Sequence, residues 1–236
     1  MVNKWANFAQ LLWPMAGCVL CGAATPRGSD LCAACGGDLP VNRNACRRCA
    51  LPLPEGSAAA ECGHCLRKAP SFDRSVALFE YARPVSQLIT GLKFHQQLHY
   101  GRLLGTLMGQ RLLAEGDRPE VLIPVPLHPL RLRERGYNQA LELARPVAQT
   151  LGLPLDIQLC LRSRPTLAQT ELPATRRRAN VRGAFTLSGA CRYRHVALID
   201  DVLTTGHTVG EISQLLKRAG VGRVQVWTCA RATTPL

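Results

Sequence analysis

Aromatic side chains are scarce in this chain: Phe, Trp and Tyr make up 5% of 236 residues. Hydrophobic residues still amount to 47%, so the interior has to be built mainly from Leu, Val, Ile and Ala. That composition suits an α/β domain and excludes a disordered chain. No run approaches the roughly 18 to 20 apolar residues needed to cross a bilayer, so no membrane span is expected. The opening MVNKWANFAQLLWPMAGC has a Leu-Leu-Trp patch, but Asn7 and Gln10 interrupt it and no small-residue cleavage site follows. No signal peptide is expected. Acidic residues are also few. Lys and Arg number 29 against 16 Asp and Glu, a formal net charge of +13. Such a surplus favours a phosphate-bearing partner, although an Arg-rich solvated surface would look the same.

What the chain has in excess is cysteine. Eight of its 11 cysteines form four CxxC pairs: Cys18 and Cys21, Cys32 and Cys35, Cys46 and Cys49, Cys62 and Cys65. This is metal-ligand spacing, and it implies a reducing, cytoplasmic setting. Each CxxC is a knuckle that turns two sulfurs toward one tetrahedral ion, so four knuckles serve two structural Zn²⁺ ions. A redox role fits poorly, because redox pairs sit at a strand-to-helix junction and seldom come four in a row. Two Zn²⁺ sites with four thiolates each would reduce the net charge to roughly +9. Few large apolar residues separate the knuckles, so metal binding has to supply the folding free energy of this module. Sequential pairing gives two zinc ribbons in tandem, and interleaved pairing gives a cross-braced module. Both remain open, with loop-closure entropy favouring the first. His64, inside CGHC, is a conceivable substitute ligand. Arg43, Arg47, Arg48, Arg67 and Lys68 decorate the module, either on phosphates or in water.

Residues 1–70 thus read as a double zinc ribbon and 71–236 as a second domain with a different texture. SVALFEY (75–81) reads as a strand, PVSQLITGL as a helix opening on Pro, and YGRLLGTLMGQRLLAEG as a second helix with Leu103, Leu107, Met108 and Leu112 on one face. VLIPVP (121–126) is a strand ended by its prolines. NQALELARPVAQTLG is a helix striped by Ala140, Ala144, Val147 and Leu151, kinked or restarted at Pro146 and stopped at Gly152. VALI (196–199) lacks polar alternation, as a strand buried on both faces does. HTVGEISQLLKRAG then makes a helix with Val209, Ile212, Leu215 and Leu216 inward, and RVQVWTCA another strand. Strand, helix and strand at this spacing form a parallel βαβ unit of a doubly wound sheet, whose ligand belongs at the carboxyl ends of the strands.

That rule gives VALIDDVLTTGHT a meaning. The buried strand delivers Asp200 and Asp201 to the sheet rim. Leu203, Thr204, Thr205, Gly206, His207 and Thr208 then offer backbone amides and hydroxyls at the positive end of a helix, a cradle for an anion. Two carboxylates one sugar length from a phosphate nest suit a ribose 5-phosphate, with the acids accepting bonds from the 2- and 3-hydroxyls. The plainer alternative is an Asp-Asp that ends a strand before a Thr-Thr-Gly that caps a helix. Arg131, Arg133 and Arg135 crowd one loop and would repel one another without an anion to share.

VALIDDVLTTGHT resembles the phosphoribosyl pyrophosphate (PRPP) motif of type I phosphoribosyltransferases. The whole chain is similar, more narrowly, to the ComF (GntX-like) family, which joins an N-terminal double zinc ribbon to such a domain. The likeness rests on the four CxxC pairs, LKF at 92–94, PVPLHPLRLRERGYNQ at 124–139, Gln169 and Leu172 followed by RRRANVRGAF, and the PRPP motif. It implies a type I phosphoribosyltransferase-like doubly wound parallel sheet with a small N-terminal zinc-ribbon module. By the same resemblance Arg133, Arg135, Gly136, Tyr137 and Lys93 would contact pyrophosphate. Gln169, Arg177 and Asn180 would belong to a mobile loop, and Asp200 and Asp201 would be catalytic, with Mg²⁺ arriving alongside PRPP.

Oxocarbenium character at C1 would be stabilised by the acid pair and the leaving pyrophosphate by the basic residues, which is electrostatic catalysis. The acceptor of the phosphoribosyl group is not legible. The family implies DNA uptake or utilisation (competence), with single-stranded DNA and uptake proteins as partners. The alternative is a non-catalytic protein that handles single-stranded DNA and uses the PRPP fold as a sensor or scaffold. Arg162, Arg164, Arg176, Arg177, Arg178, Arg182, Arg192 and Arg194 form a basic segment able to track phosphates, but only Tyr193 and Phe185 are there to stack bases.

Overall fold

The computed structural model describes residues 17–26, 28–164 and 181–233. The chain forms two compact units, Met1–Leu39 and Pro40–Leu236. In the smaller, an antiparallel bridge between Gly17 and Ala24 closes the first knuckle, and Cys32 Sγ accepts from the amide of Cys35 at the start of the short helix α1 (Ala33–Gly37).

The larger unit opens with a second ribbon, built the same way from an Ala45–Pro52 bridge and the short helix α2 (Gly63–Arg67). Next come β1 (Arg74–Glu80), α3 (Val85–Phe94), α4 (Leu98–Leu113), β2 (Val121–Pro124), α5 (Pro129–Arg135), α6 (Gln139–Leu151), β3 (Cys160–Arg162), β4 (Phe185–Leu187), β5 (His195–Leu203), α7 (His207–Arg218) and β6 (Arg223–Arg231). The main sheet has the order β1-β6-β5-β2 with every pairing parallel, and β3 and β4 form a separate antiparallel pair.

β1 is an edge strand, and the second ribbon covers it. Val41 bridges Phe79, the amide of Asn42 donates to Leu78 O, and Ser75 donates to the carbonyls of Arg47 and Arg48. These bonds answer backbone groups that an open edge would leave to a stray partner. They keep residues 40–70 with the sheet.

Val196, Ala197, Leu198 and Ile199 are all buried, as a two-faced strand requires. One face packs Val196 and Leu198 with Ile212 and Leu216 of α7, and α6 also packs on the strand, while α4 packs on the neighbouring β6 and β1. β5 runs further than expected, through Asp200 and Asp201 to Leu203, because β6 continues the register as far as Leu203 against Arg231. α6 passes through Pro146 as one helix and ends on Gly152 at φ 64°. It tolerates the ring because α4 presents Gly101, Gly105 and Gly109, spaced by four on one face, toward Glu142, Leu143 with Pro146, and Thr150 of α6. Leu103, Met108 and Leu112 are buried as expected, but Leu107 is only half-buried and Leu104 takes the inward place.

A methyl group on Gly105 would collide with the Pro146 ring and lie 2.6 Å from Leu143 O. Alanine there gains about 1 kcal/mol of helix propensity but loses more to the overlap, so Gly105→Ala is expected to destabilise by about 1 to 2 kcal/mol. At Gly210, where a Cβ meets nothing within 4 Å, Ala is expected to stabilise by about 0.5 to 1 kcal/mol. Urea unfolding of the two variants checks the opposite signs.

Candidate functional site

The cysteines fall into two sets in sequential order: Cys18, Cys21, Cys32 and Cys35, then Cys46, Cys49, Cys62 and Cys65. Within each set all ligand atoms lie within 4.8 Å of one another. Sγ of Cys21 and Cys32 are 3.7 Å apart, as are those of Cys49 and Cys62. Sulfurs at about 2.3 Å from a tetrahedral ion are about 3.8 Å from each other, whereas a disulfide brings them to about 2.05 Å. The donors therefore fit Zn²⁺ at both places, and a full set of thiolates leaves His64 without a ligand role. The second set is wholly buried, while Cys21 of the first is exposed.

At the carboxyl edge of the sheet, β5 carries Asp200 and Asp201 side by side, so that they face opposite sides of the strand. One oxygen of each is used locally: Asp200 Oδ1 accepts from the amide of Asp201, and Asp201 Oδ1 from that of Val202. Lys93, in the last turn of α3, places Nζ 2.5 Å from Asp201 Oδ2, with the two side chains 19% and 5% exposed. This is an ion pair by distance; the oxygen has no aligned hydrogen-bond donor. Burial lowers the Lys93 ammonium to about 8 against the pull of the Asp200 carboxylate, and the charge of Arg135 lowers it further. Asp200 keeps part of its surface open, yet burial raises its carboxyl to about 6 against the attraction of Lys93 and then Arg162.

Beyond Leu203 the chain turns through Thr204, Thr205 and Gly206 into α7. Gly206 sits at φ 68° as the N-cap, where a β-carbon would be strained, and it offers no side chain to satisfy the first amides of the helix. Thr205 is buried and its Oγ1 lies 3.0 Å from His207 Nδ1. His207 and Thr208 open α7.

The arginine-rich segment before GYNQ, expected as a loop, is the short helix α5. His128 accepts from the amide of Leu130 at its start, and Gly136 at φ 84° ends it. Helical spacing sorts the arginines. Arg131 and Arg135, four apart, line a pocket of about 220 Å³ with Lys93, Phe94, Gln96, Glu134 and Tyr137. Arg133, about 200° round the helix from Arg131, is exposed. Arg135 donates to Gln139 Oε1 at 2.5 Å and lies over the Phe94 ring, 5.6 Å from its centroid. Tyr137 donates to Leu92 O, which ties the turn after α5 to the helix that carries Lys93.

Arg231 is absent from the sequence expectations, and Arg131 and Arg162 enter them only through their charge. Arg131 lines the pocket beside Arg135, and Arg133 is exposed. Arg162, on β3, rests over the Phe185 ring at 5.5 Å and acts on Asp200. Arg231, at the end of β6, is fully buried and donates to Leu203 O and Thr204 O. The alternation of RVQVWTCAR hints at none of this for its last residue. Tyr193 and Phe185 are engaged in the fold, the first donating to Asp156 Oδ2 at 3.2 Å and the second buried. Gln169, Arg177 and Asn180 lie outside the described residues. No helix is long and apolar enough to cross a membrane among the described residues.

Residues 8–66 match the family model described as "Double zinc ribbon domain". Competence protein F of Haemophilus influenzae is 41% identical over 185 residues, covering 74% of this chain and 80% of that protein. DNA utilization protein YhgH of Salmonella typhi is 38% identical over 184 residues, covering 76% of this chain and 81% of that protein. Competence protein ComFC of Streptococcus pneumoniae is 26% identical over 156 residues, covering 66% of this chain and 67% of that protein. A purine phosphoribosyltransferase from Pyrococcus horikoshii aligns over 56% of this chain and 84% of its own at 15% identity and a TM-score of 0.31, too loose to bear on the site.

The two acids are expected to respond oppositely to neutralisation. Asp200 has a folded-state pKa raised above its unfolded value, so its ionisation costs stability, a cost absent below the unfolded value and complete once the pH has risen through about 6. Asp200→Asn should therefore melt no lower than wild type at pH 8. Asp201→Asn strips Lys93 of its 2.5 Å partner and should lose roughly 2 to 4 kcal/mol. Thermal unfolding of both at pH 8 decides, and equal losses would contradict the assignment.

Proposed function

Because this chain belongs to the competence protein F family, whose double zinc ribbon precedes an α/β domain, we propose that its carboxyl-edge site binds a ribose 5-phosphate pyrophosphate, PRPP, in the service of DNA uptake or utilisation. The observation that carries this reading is the convergence of an acid pair on β5, a lysine from α3, arginines from α5 and a helix-opening Gly turn on one sheet edge. In this reading the amides and hydroxyls of Thr204, Thr205, Gly206, His207 and Thr208 receive the 5-phosphate. Asp200 and Asp201 accept the ribose hydroxyls. Arg135, Arg131 and Lys93 answer the pyrophosphate, and the Gly136–Tyr137 turn positions them.

Asp200, which keeps part of its surface open, offers a hard carboxylate oxygen suited to Mg²⁺ or to water around it, while Asp201 is engaged by Lys93. When bound, Mg²⁺ would offset charge between pyrophosphate and ribose oxygens. If the site turns over, positive charge growing at C1 is answered by the two carboxylates, and negative charge on the leaving group by Lys93 and the arginines. No nucleophilic side chain is needed. Pyrophosphate would also relieve the crowding of Lys93 and Arg135, each of whose charged forms is disfavoured by burial and by a neighbouring cation.

Saturating Mg²⁺ and PRPP, at about 100 times Kd, are expected to add about 2.7 kcal/mol, which for a chain of this size raises Tm by roughly 5 to 10 °C. The Asp200→Asn, Asp201→Asn double variant should abolish the rise, and Arg135→Ala should weaken affinity about 10- to 100-fold. Wild-type affinity should also increase as the pH rises through about 6, where Asp200 ionises. A melting temperature indifferent to PRPP at every pH would overturn the reading. Pyrophosphate release across a panel of bases and amines then tells turnover from binding.

A further inference from the structure

Arg231 is a fully buried charge. Its relative exposure is 0%, and among the described residues it makes no ion pair with a carboxylate. Nε donates to Cys49 O at 2.8 Å, and Nη1 donates to Thr204 O at 2.9 Å, Leu203 O at 3.1 Å and Ala232 O. Nη2 has no hydrogen-bond partner. Carbonyl dipoles alone poorly offset a guanidinium taken out of water. The groups nearby that can carry negative charge are thiols of the second cysteine set: Cys49, Cys62 and Cys65 all act on this guanidinium. Four thiolates around Zn²⁺ carry about −2 in total.

We propose that Arg231 couples the second cysteine cluster to the turn after β5. The metal-bound thiolates serve as its counter-charge, and the guanidinium in turn fixes the carbonyls of Leu203 and Thr204, making Arg231 a positioning residue for the turn. The peptide bonds here are trans, and in a trans peptide C=O and N–H point in opposite directions. Holding the carbonyls of Leu203 and Thr204 inward therefore aims the amides of Thr204 and Thr205 away from Arg231, toward the site. The ribbon approaches the same turn a second way. His64 and Lys68 share the lining of a pocket of about 240 Å³ with Thr205, Gly206 and His207. The zinc site thus acts beyond holding its own ribbon: it sets the rigidity of the proposed phosphate cradle, a consequence that rests on the PRPP reading, although the coupling itself does not.

The test is deuterium exchange of the amides at 203–208 in full-length, zinc-loaded protein, with 196–199 of β5 as internal standard. Three proteins are compared: wild type, Arg231→Lys, and Cys65→Ser, which removes a ligand but keeps the Cys49 carbonyl. Zinc content is measured in each. The expected result is exchange about tenfold faster at 203–208 in both variants with 196–199 unchanged, zinc staying at two in Arg231→Lys and falling to one in Cys65→Ser. Wild-type protection at 203–208 in either variant would overturn the proposal. Uniform loss of protection across 196–208 would also overturn it, since Arg231 would then be a general core residue. PRPP binding is followed separately on wild type: its absence defeats the functional reading and leaves the exchange result to stand or fall alone.

Discussion

The parallel pairing of β5 with β6 is the constraint on which the site depends. Its register sets Asp200 opposite Thr228 and Leu203 opposite Arg231. One strand therefore ends in the carboxylates and the turn, and its neighbour ends in the cation that holds the turn. Without that register extending to Leu203, the acids would sit in a loose loop instead of a strand, and their orientation relative to Lys93 would be a matter of chance. Because the strand is buried on both faces through Ile199, the polar residues that follow emerge from an apolar core, which is why burial raises the Asp200 carboxyl so far.

The charges at this edge are organised by burial against pairing. Lys93 is pulled toward neutrality by its surroundings and held charged by the acids, and Asp200 is pushed toward neutrality and held charged by Lys93 and Arg162. Lys93 lies near Arg135 as well as the acids, and Arg135 and Arg162 each lie near Arg131, so cation–cation repulsion is built into this edge. In the proposed reading, the anion of the ligand relieves that repulsion. A merely structural ion-pair network would be expected to close on itself, as the rim cluster of Arg74 and Arg223 with Asp117 and Glu115 does at the other end of these strands.

Much of this was legible in the chain before any coordinates. Cysteine spacing disclosed two four-sulfur sites, and loop-closure entropy favoured the sequential pairing that the sulfur positions display. The apolar run at 196–199 disclosed a two-faced strand, and the turn chemistry after it disclosed the passage into a helix. What stayed hidden depended on tertiary neighbours. RLRER reads as a loop because its charges mask a one-sided helix, so the different exposures of Arg131 and Arg133 were not legible. Gly101, Gly105 and Gly109 looked like weak helix residues, and their use appears only when α6 lies against them. Arg231 follows a strand pattern that would assign it to the surface. Only the ribbon on one side and the turn on the other make its burial tolerable.

The most direct measurement is a crystal structure of the zinc-loaded protein soaked with Mg²⁺ and PRPP. The account predicts density for the 5-phosphate on the amides of Thr204 to His207, ribose oxygens on Asp200 and Asp201, and pyrophosphate between Lys93 and Arg135. Ligand density elsewhere on the molecule, with this edge of the sheet unchanged at saturating PRPP, would contradict it.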